Sequence, residues 1–158
     1  MRSASLRPGS SRAWRGTSRR DTWRIASNAE IVERILNLWR NLESIPEELL
    51  DDGIEWVNPP DAIETGTRHG RSGFDQAESA FRRAYSSIDI KVERRVELDQ
   101  AVGLIAEVVF HGRGSGIEVQ QRQGMLFGFR EGRVVRFEWS NDPDELLAEL
   151  TGGATNPD

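Results

Sequence analysis

Between Ser27 and Leu150 the spacing of hydrophobic residues changes from helical to alternating, and the change divides the chain into elements. Ser27-Asn28-Ala29-Glu30 has the form of a capping box, and Ile31, Ile35, Leu38 and Leu42 then fall on one helical stripe, widened by Val32, Leu36 and Trp39. This predicts a helix buried on a broad side. Ser44-Ile45-Pro46-Glu47 opens a short second helix that Gly53 closes, and a brief strand at 54–57 is stopped by Pro59 and Pro60. A loop with Gly66 and Gly70 leads to Phe74, Ala77, Phe81, Ala84 and Tyr85, which predict a helix over 72–86.

The period then becomes two. Ile88, Ile90, Val92, Val96 and Leu98 alternate with charged residues, and only Arg94 interrupts the inward set. The next strand turns Val102, Leu104, Ala106, Val108 and Phe110 one way and Glu107 and His111 the other. In the strand at 117–130, Gln121 and Gln123 stand among the inward residues Ile117, Val119, Met125, Phe127 and Phe129. Glu131-Gly132 turns the chain into a strand at 134–140 with Val135, Phe137 and Trp139 inward. A last helix begins at the cap Asp142-Pro143-Asp144-Glu145 and ends near Leu150, and 151–158 is expected to be a tail. Helices followed by four long sequential strands predict an α+β domain: a curved antiparallel sheet wrapped around helices packed on one face, enclosing a cone.

Composition narrows the function classes. At 158 residues and 37% hydrophobic, the chain suits one domain with one core. Its longest apolar run, 102–110, is broken by Gly103 and Glu107, so a soluble, cytoplasmic protein away from membranes is expected. Without cysteine there is neither a disulfide nor a thiolate site, and two isolated histidines, His69 and His111, lack metal-ligand spacing. No metal or cofactor is expected. Residues 1–26 hold seven arginines against Asp21, whereas the remainder holds 14 basic against 25 acidic groups, a net charge of −11. So acidic a body is a poor partner for nucleic acid. The Arg/Ser/Gly-rich segment 1–26 is expected to be disordered: translated upstream sequence from a misassigned start, a flexible arm, or a targeting peptide.

The element order, with Glu64-Thr65-Gly66-Thr67-Arg68-His69-Gly70-Arg71 before the third helix, resembles the SnoaL-like group of the nuclear transport factor 2-like superfamily, the ketosteroid isomerase-type, cystatin-like cone. Gly112-Arg113-Gly114-Ser115-Gly116-Ile117-Glu118-Val119 and Gly132-Arg133-Val134-Val135-Arg136-Phe137 add to the resemblance, which spans 27–150. It implies a ligand-sized pocket and a homodimer. It also implies places where the family's enzymes keep acids. Asn58, before Pro59, stands where ketosteroid isomerases keep their base; Ile35 and Met125 stand nearest their oxyanion-binding groups, and Met125 also nearest the acid of SnoaL-type cyclases. Val108, Phe110 and Trp139 stand where limonene epoxide hydrolases use charged groups.

With no acid at an inward strand position, the expected function is binding of a small molecule in an apolar pocket. The alternative is an isomerase, cyclase or hydrolase using a non-standard polar set drawn from Asn58, Arg94, Gln121, Gln123 and His69. Expected ligand contacts are Asn58, Arg94, Gln121 and Gln123, with Trp39, Trp56 and Trp139 as walls. An inward Arg94 favours a hydrophobic, weakly acidic ligand, although a bulge at Glu93-Arg94-Arg95 would turn it outward. A homodimer is expected through the outer sheet face carrying Ile105, Glu107, Val109 and His111.

Overall fold

The computed structural model describes residues 26–155, so most of the predicted basic tail lies outside the described residues. Helix α1 spans Asn28–Arg40 and starts with the capping box complete: Glu30 N–H donates to Ser27 Oγ at 3.1 Å, and Ser27 N–H donates to Glu30 Oε1 at 2.8 Å. Ile31, Val32, Ile35 and Leu36 form its buried face. The short second helix is a single 3₁₀ turn, Glu47–Leu49. Strand β1 is longer than its apolar core suggests, Leu50–Asn58, and β2, Gly66–His69, forms where the sequence predicts loop. Next come α2, Gly70–Ala84, then β3, Tyr85–Leu98, β4, Ala101–Gly112, β5, Glu118–Arg130, β6, Arg133–Ser140, and α3, Pro143–Thr155.

The six strands form one sheet ordered β2-β1-β6-β5-β4-β3. Neighbours are antiparallel except β1 and β6, which run parallel, so the sheet is mixed. Alternation along a strand reveals its faces and not its partner, and the pairing of β1 with β6 therefore leaves no local signal. Helices α1 and α2 close the inner face over one core that includes Phe74, Leu104, Phe127 and Phe137.

Two bulges change which residues point inward. On β3, Val92 pairs with Ala106 and Arg94 with Ile105, leaving Glu93 extra. Arg94 therefore shares the outer face with Ile105 and is exposed, which corrects its expected place in the pocket. On β6, Phe129 pairs with Val134 and Gly128 with Arg136, so Val135 is the extra residue. Val134 is buried where Val135 was expected, and Phe137 returns inward beyond the bulge.

Helix α3 packs on the outer sheet face, not the inner one. Asp142 Oδ1 caps it by accepting from Glu145 N–H at 3.2 Å, and Leu146 and Leu147 are buried beneath it. Gly103 and Gly124 make the approach possible: a Cβ on Gly124 would sit 2.9 Å from Pro143 Cα. Ile105 is 1% exposed. The apolar patch expected to drive pairing of two copies is thus largely covered by the chain itself. The rest of this face is polar: His111 contacts Asp89 and Glu118, Gln120 donates to Glu107, and Arg122 bridges Glu93 and Asp144. Among the described residues no helix is long and apolar enough to cross a membrane.

Candidate functional site

The inner sheet face, α1 and α2 enclose a cavity of about 700 Å³. Its walls are largely aromatic because the sequence puts large rings on inward positions of six elements, α1, β1, α2, β3, β4 and β6. Trp39 from the end of α1 meets Phe137 at 5.1 Å and Trp56 at 6.1 Å between ring centroids, while Trp56 meets Phe81 of α2 at 6.0 Å. Edge and tilted contacts of this kind hold the rings in fixed orientations. All three expected tryptophans border the cavity, as do Asn58, Gln121 and Gln123; Arg94 does not.

Asn58 joins the two strands that form the parallel pair. Its Oδ1 accepts the indole N–H of Trp56 and that of Trp139, each at 2.8 Å. Two donors on one oxygen fix which way the amide points. The NH₂ group has no protein partner and stands at the cavity wall as a neutral donor. Gln123 is buried and donates to Asn141 Oδ1 at 3.2 Å, so its amide is partly occupied. Gln121 is half-buried and its side-chain amide makes no hydrogen bond to the described residues, and the Tyr85 hydroxyl is likewise unpaired.

One wall residue escaped the sequence reading. Glu78 of α2 is 5% exposed and borders the cavity. Trp39 Nε1–H donates to its Oε2 at 2.9 Å and Ile45 N–H donates to the same oxygen at 3.1 Å. Oε1 takes no protein partner. It is also not fully buried, since Arg71 Nε is the only fully buried, unpartnered side-chain N or O atom among the described residues. Burial pushes the Glu78 carboxyl above the ordinary carboxylate range; the Trp39 and Ile45 donors and the charge of Arg82 oppose the shift, and Asp75 adds slightly to it. The signal was present in the sequence, because position 78 lies on the stripe of Phe74, Ala77 and Phe81.

A stability test follows from this shift. In the window between the unfolded and the raised folded pKa, the folded chain holds a proton that the unfolded chain releases, so the contribution of Glu78 to stability falls as pH rises from 4.5. Glu78→Gln keeps an acceptor for Trp39 and Ile45 but cannot ionise. The melting temperature of the variant minus that of the parent is expected to grow with pH through this window and then level. A flat difference would mean that the carboxyl ionises alike in both states.

At the mouth, Arg68 pairs with Glu64 at 2.6 Å, and Ile63 in the loop between β1 and β2 is fully exposed. His69 sits outside the cavity walls and faces Glu55. Among the described residues no group of three His, Cys, Asp or Glu side chains is placed to hold a metal ion.

Comparison with known proteins gives the fold a name. No family model and no curated protein matches the chain. Many solved structures do. A candidate SnoaL-like polyketide cyclase from Jannaschia is 15% identical, with a TM-score of 0.63 over 77% of this chain and 89% of that one. A nuclear transport factor 2-like protein of unknown function from Burkholderia pseudomallei is 17% identical, with a TM-score of 0.63 over 80% and 98%. A protein with the ketosteroid isomerase-like fold from Catenulispora acidiphila, in complex with trimethylamine, is 15% identical, with a TM-score of 0.60 over 72% and 86%. At these identities the likeness establishes the architecture: the chain adopts the SnoaL-like, nuclear transport factor 2-like α+β cone.

Proposed function

We propose that this protein binds a small, flat, largely apolar molecule inside the cone. The observation that carries the reading is the aromatic cavity of about 700 Å³ with a few unpaired polar groups on its wall, the Asn58 NH₂ and the Gln121 amide among them. Apolar walls supply affinity, and a few fixed donors and acceptors set orientation. A neighbour of the same fold holding trimethylamine is in keeping with such a use. The ligand is not selected by Arg94, which is outside, and the two arginines that border the cavity are held by other partners, Arg68 by Glu64 and Arg82 by Ser44 and Ser79.

The test is a titration of small aromatic compounds followed by tryptophan fluorescence, since Trp39, Trp56 and Trp139 all border the space. Saturable quenching with micromolar to millimolar affinity is expected, and Phe137→Trp, which fills the space, should abolish it. Quenching that never saturates would count against a pocket.

A second reading is an isomerase, cyclase or hydrolase, and Glu78 is the observation in its favour. It supplies the titratable group that the inward strand positions lack, with its pKa moved toward the working range of a general acid or base. Turnover of an apolar ketone, epoxide or lactone that disappears in Glu78→Gln would establish this reading. A homodimer, if formed through the outer sheet face, would pair the polar ladder around His111 rather than the apolar patch beneath α3.

A further inference from the structure

We propose that the cavity selects a cationic ligand, an aromatic or alicyclic ammonium compound whose charged nitrogen rests against Glu78. This rests on the ligand-binding reading above and adds the sign of the ligand's charge. Six charged residues border the cavity: Glu43, Asp61, Glu64 and Glu78 against Arg68 and Arg82. Both arginines are already engaged. Arg68 pairs with Glu64 and donates to Gln76, while Arg82 donates to Ser44 Oγ at 2.7 Å and to Ser79 Oγ at 3.0 Å without forming an ion pair with Glu78. Glu78, the buried acid of the four, forms no ion pair with either arginine, and of the cations only Arg82 acts on it, from beyond ion-pair distance.

Its geometry leaves one oxygen free. Oε2 is saturated by Trp39 and Ile45, and this fixes the carboxyl plane and leaves Oε1, unpartnered and not fully buried, on a residue that borders the cavity. A buried carboxylate lacking a cation is costly, and a ligand ammonium would offset that cost in the same place. The surroundings suit a weakly hydrated cation. Trp39 is bonded to Glu78 directly, and the chain of ring contacts from Trp39 to Trp56 to Phe81 forms the adjoining wall. Aromatic rings attract ammonium groups through their quadrupoles while also receiving apolar substituents. A neutral ligand would meet only half of this arrangement, and an anion would meet an unpaired carboxylate.

The test compares phenyltrimethylammonium with tert-butylbenzene, which has the same shape and no charge, on the full chain by tryptophan fluorescence. The parent protein is expected to bind the cation about 10- to 100-fold more tightly. In Glu78→Gln, which retains an acceptor for Trp39 and Ile45, the affinity ratio of the cation to tert-butylbenzene should fall about 10-fold or to the small remainder that the rings supply. Equal affinity for both compounds in the parent, a comparison that needs no variant, would overturn the proposal and leave the pocket intact. So would a preference undiminished in Glu78→Gln, because the rings and the general acidity of the surface would then be responsible. Failure of both compounds to bind would overturn the pocket reading itself.

Discussion

Asn58→Leu is expected to lower the unfolding free energy by about 2–4 kcal/mol, measured by urea denaturation, because one oxygen serves two indoles. Leucine has similar bulk and no acceptor, so the N–H groups of Trp56 and Trp139 would both lose their partner in a mostly apolar wall. Each unpaired donor costs about 1–3 kcal/mol, and water entering from the cavity offsets part of the total. Asn58→Asp keeps the acceptor and is expected to stay within about 1 kcal/mol of the parent, since a carboxylate receiving two N–H bonds is stabilised in its charged form. A leucine variant as stable as the aspartate variant would show that the bridged indoles do not hold β1 and β6 together at this end.

Gly124→Val is the second large effect expected. The added Cβ would lie 2.9 Å from Pro143 Cα and 3.1 Å from Leu146 Cδ2, and the first of these is backbone that cannot swing aside. The helix must lift, at about 1–3 kcal/mol for overpacking of this kind. Lifting α3 also uncovers Ile105, which is fully buried in the parent. Thermal denaturation should report the lost stability, and sedimentation should report more self-association than the parent shows at the same concentration. Gly103→Ala is the contrast: its nearest obstacle is the tip of Leu150, a flexible end that can turn away, and a smaller loss is expected. A valine variant matching the parent in both measurements would mean that α3 is not seated against the sheet.

Much of this architecture was legible in the sequence. Ser27 and Asp142 announced two helix starts because capping is a local arrangement of a few residues. The inward positions of Gln121 and Gln123 followed from alternation alone, since Gln121 pairs with Val108 and Gln123 with Ala106 across an unbroken ladder. What alternation cannot register is a single extra residue. Glu93 and Val135 each reverse the parity beyond them, which sent Arg94 outward and exchanged Val135 for Val134. The pairing of β1 with β6 and the docking of α3 on the outer face depend on residues far apart in the chain, where periodicity carries no information. Glu78 was missed for another reason. An apolar stripe is read by its apolar members, so a carboxylate within it passes as a solvated residue unless the stripe is followed position by position.

The parallel pairing of β1 with β6 makes the site a property of almost the whole domain. Residues bordering the cavity run from Trp39 to Asn141, and the Asn58 bridge closes only when Trp139 reaches it across 81 positions. No excised hairpin, helix pair or shorter fragment contains the complete wall. Joining ends so distant in sequence carries the entropy of a long loop, which sequential hairpins such as β4–β5 avoid. The cavity is therefore absent from any chain that stops short of its last strand, and a cut, insertion or permutation between β1 and β6 acts on the shape of its wall even where it touches no lining residue.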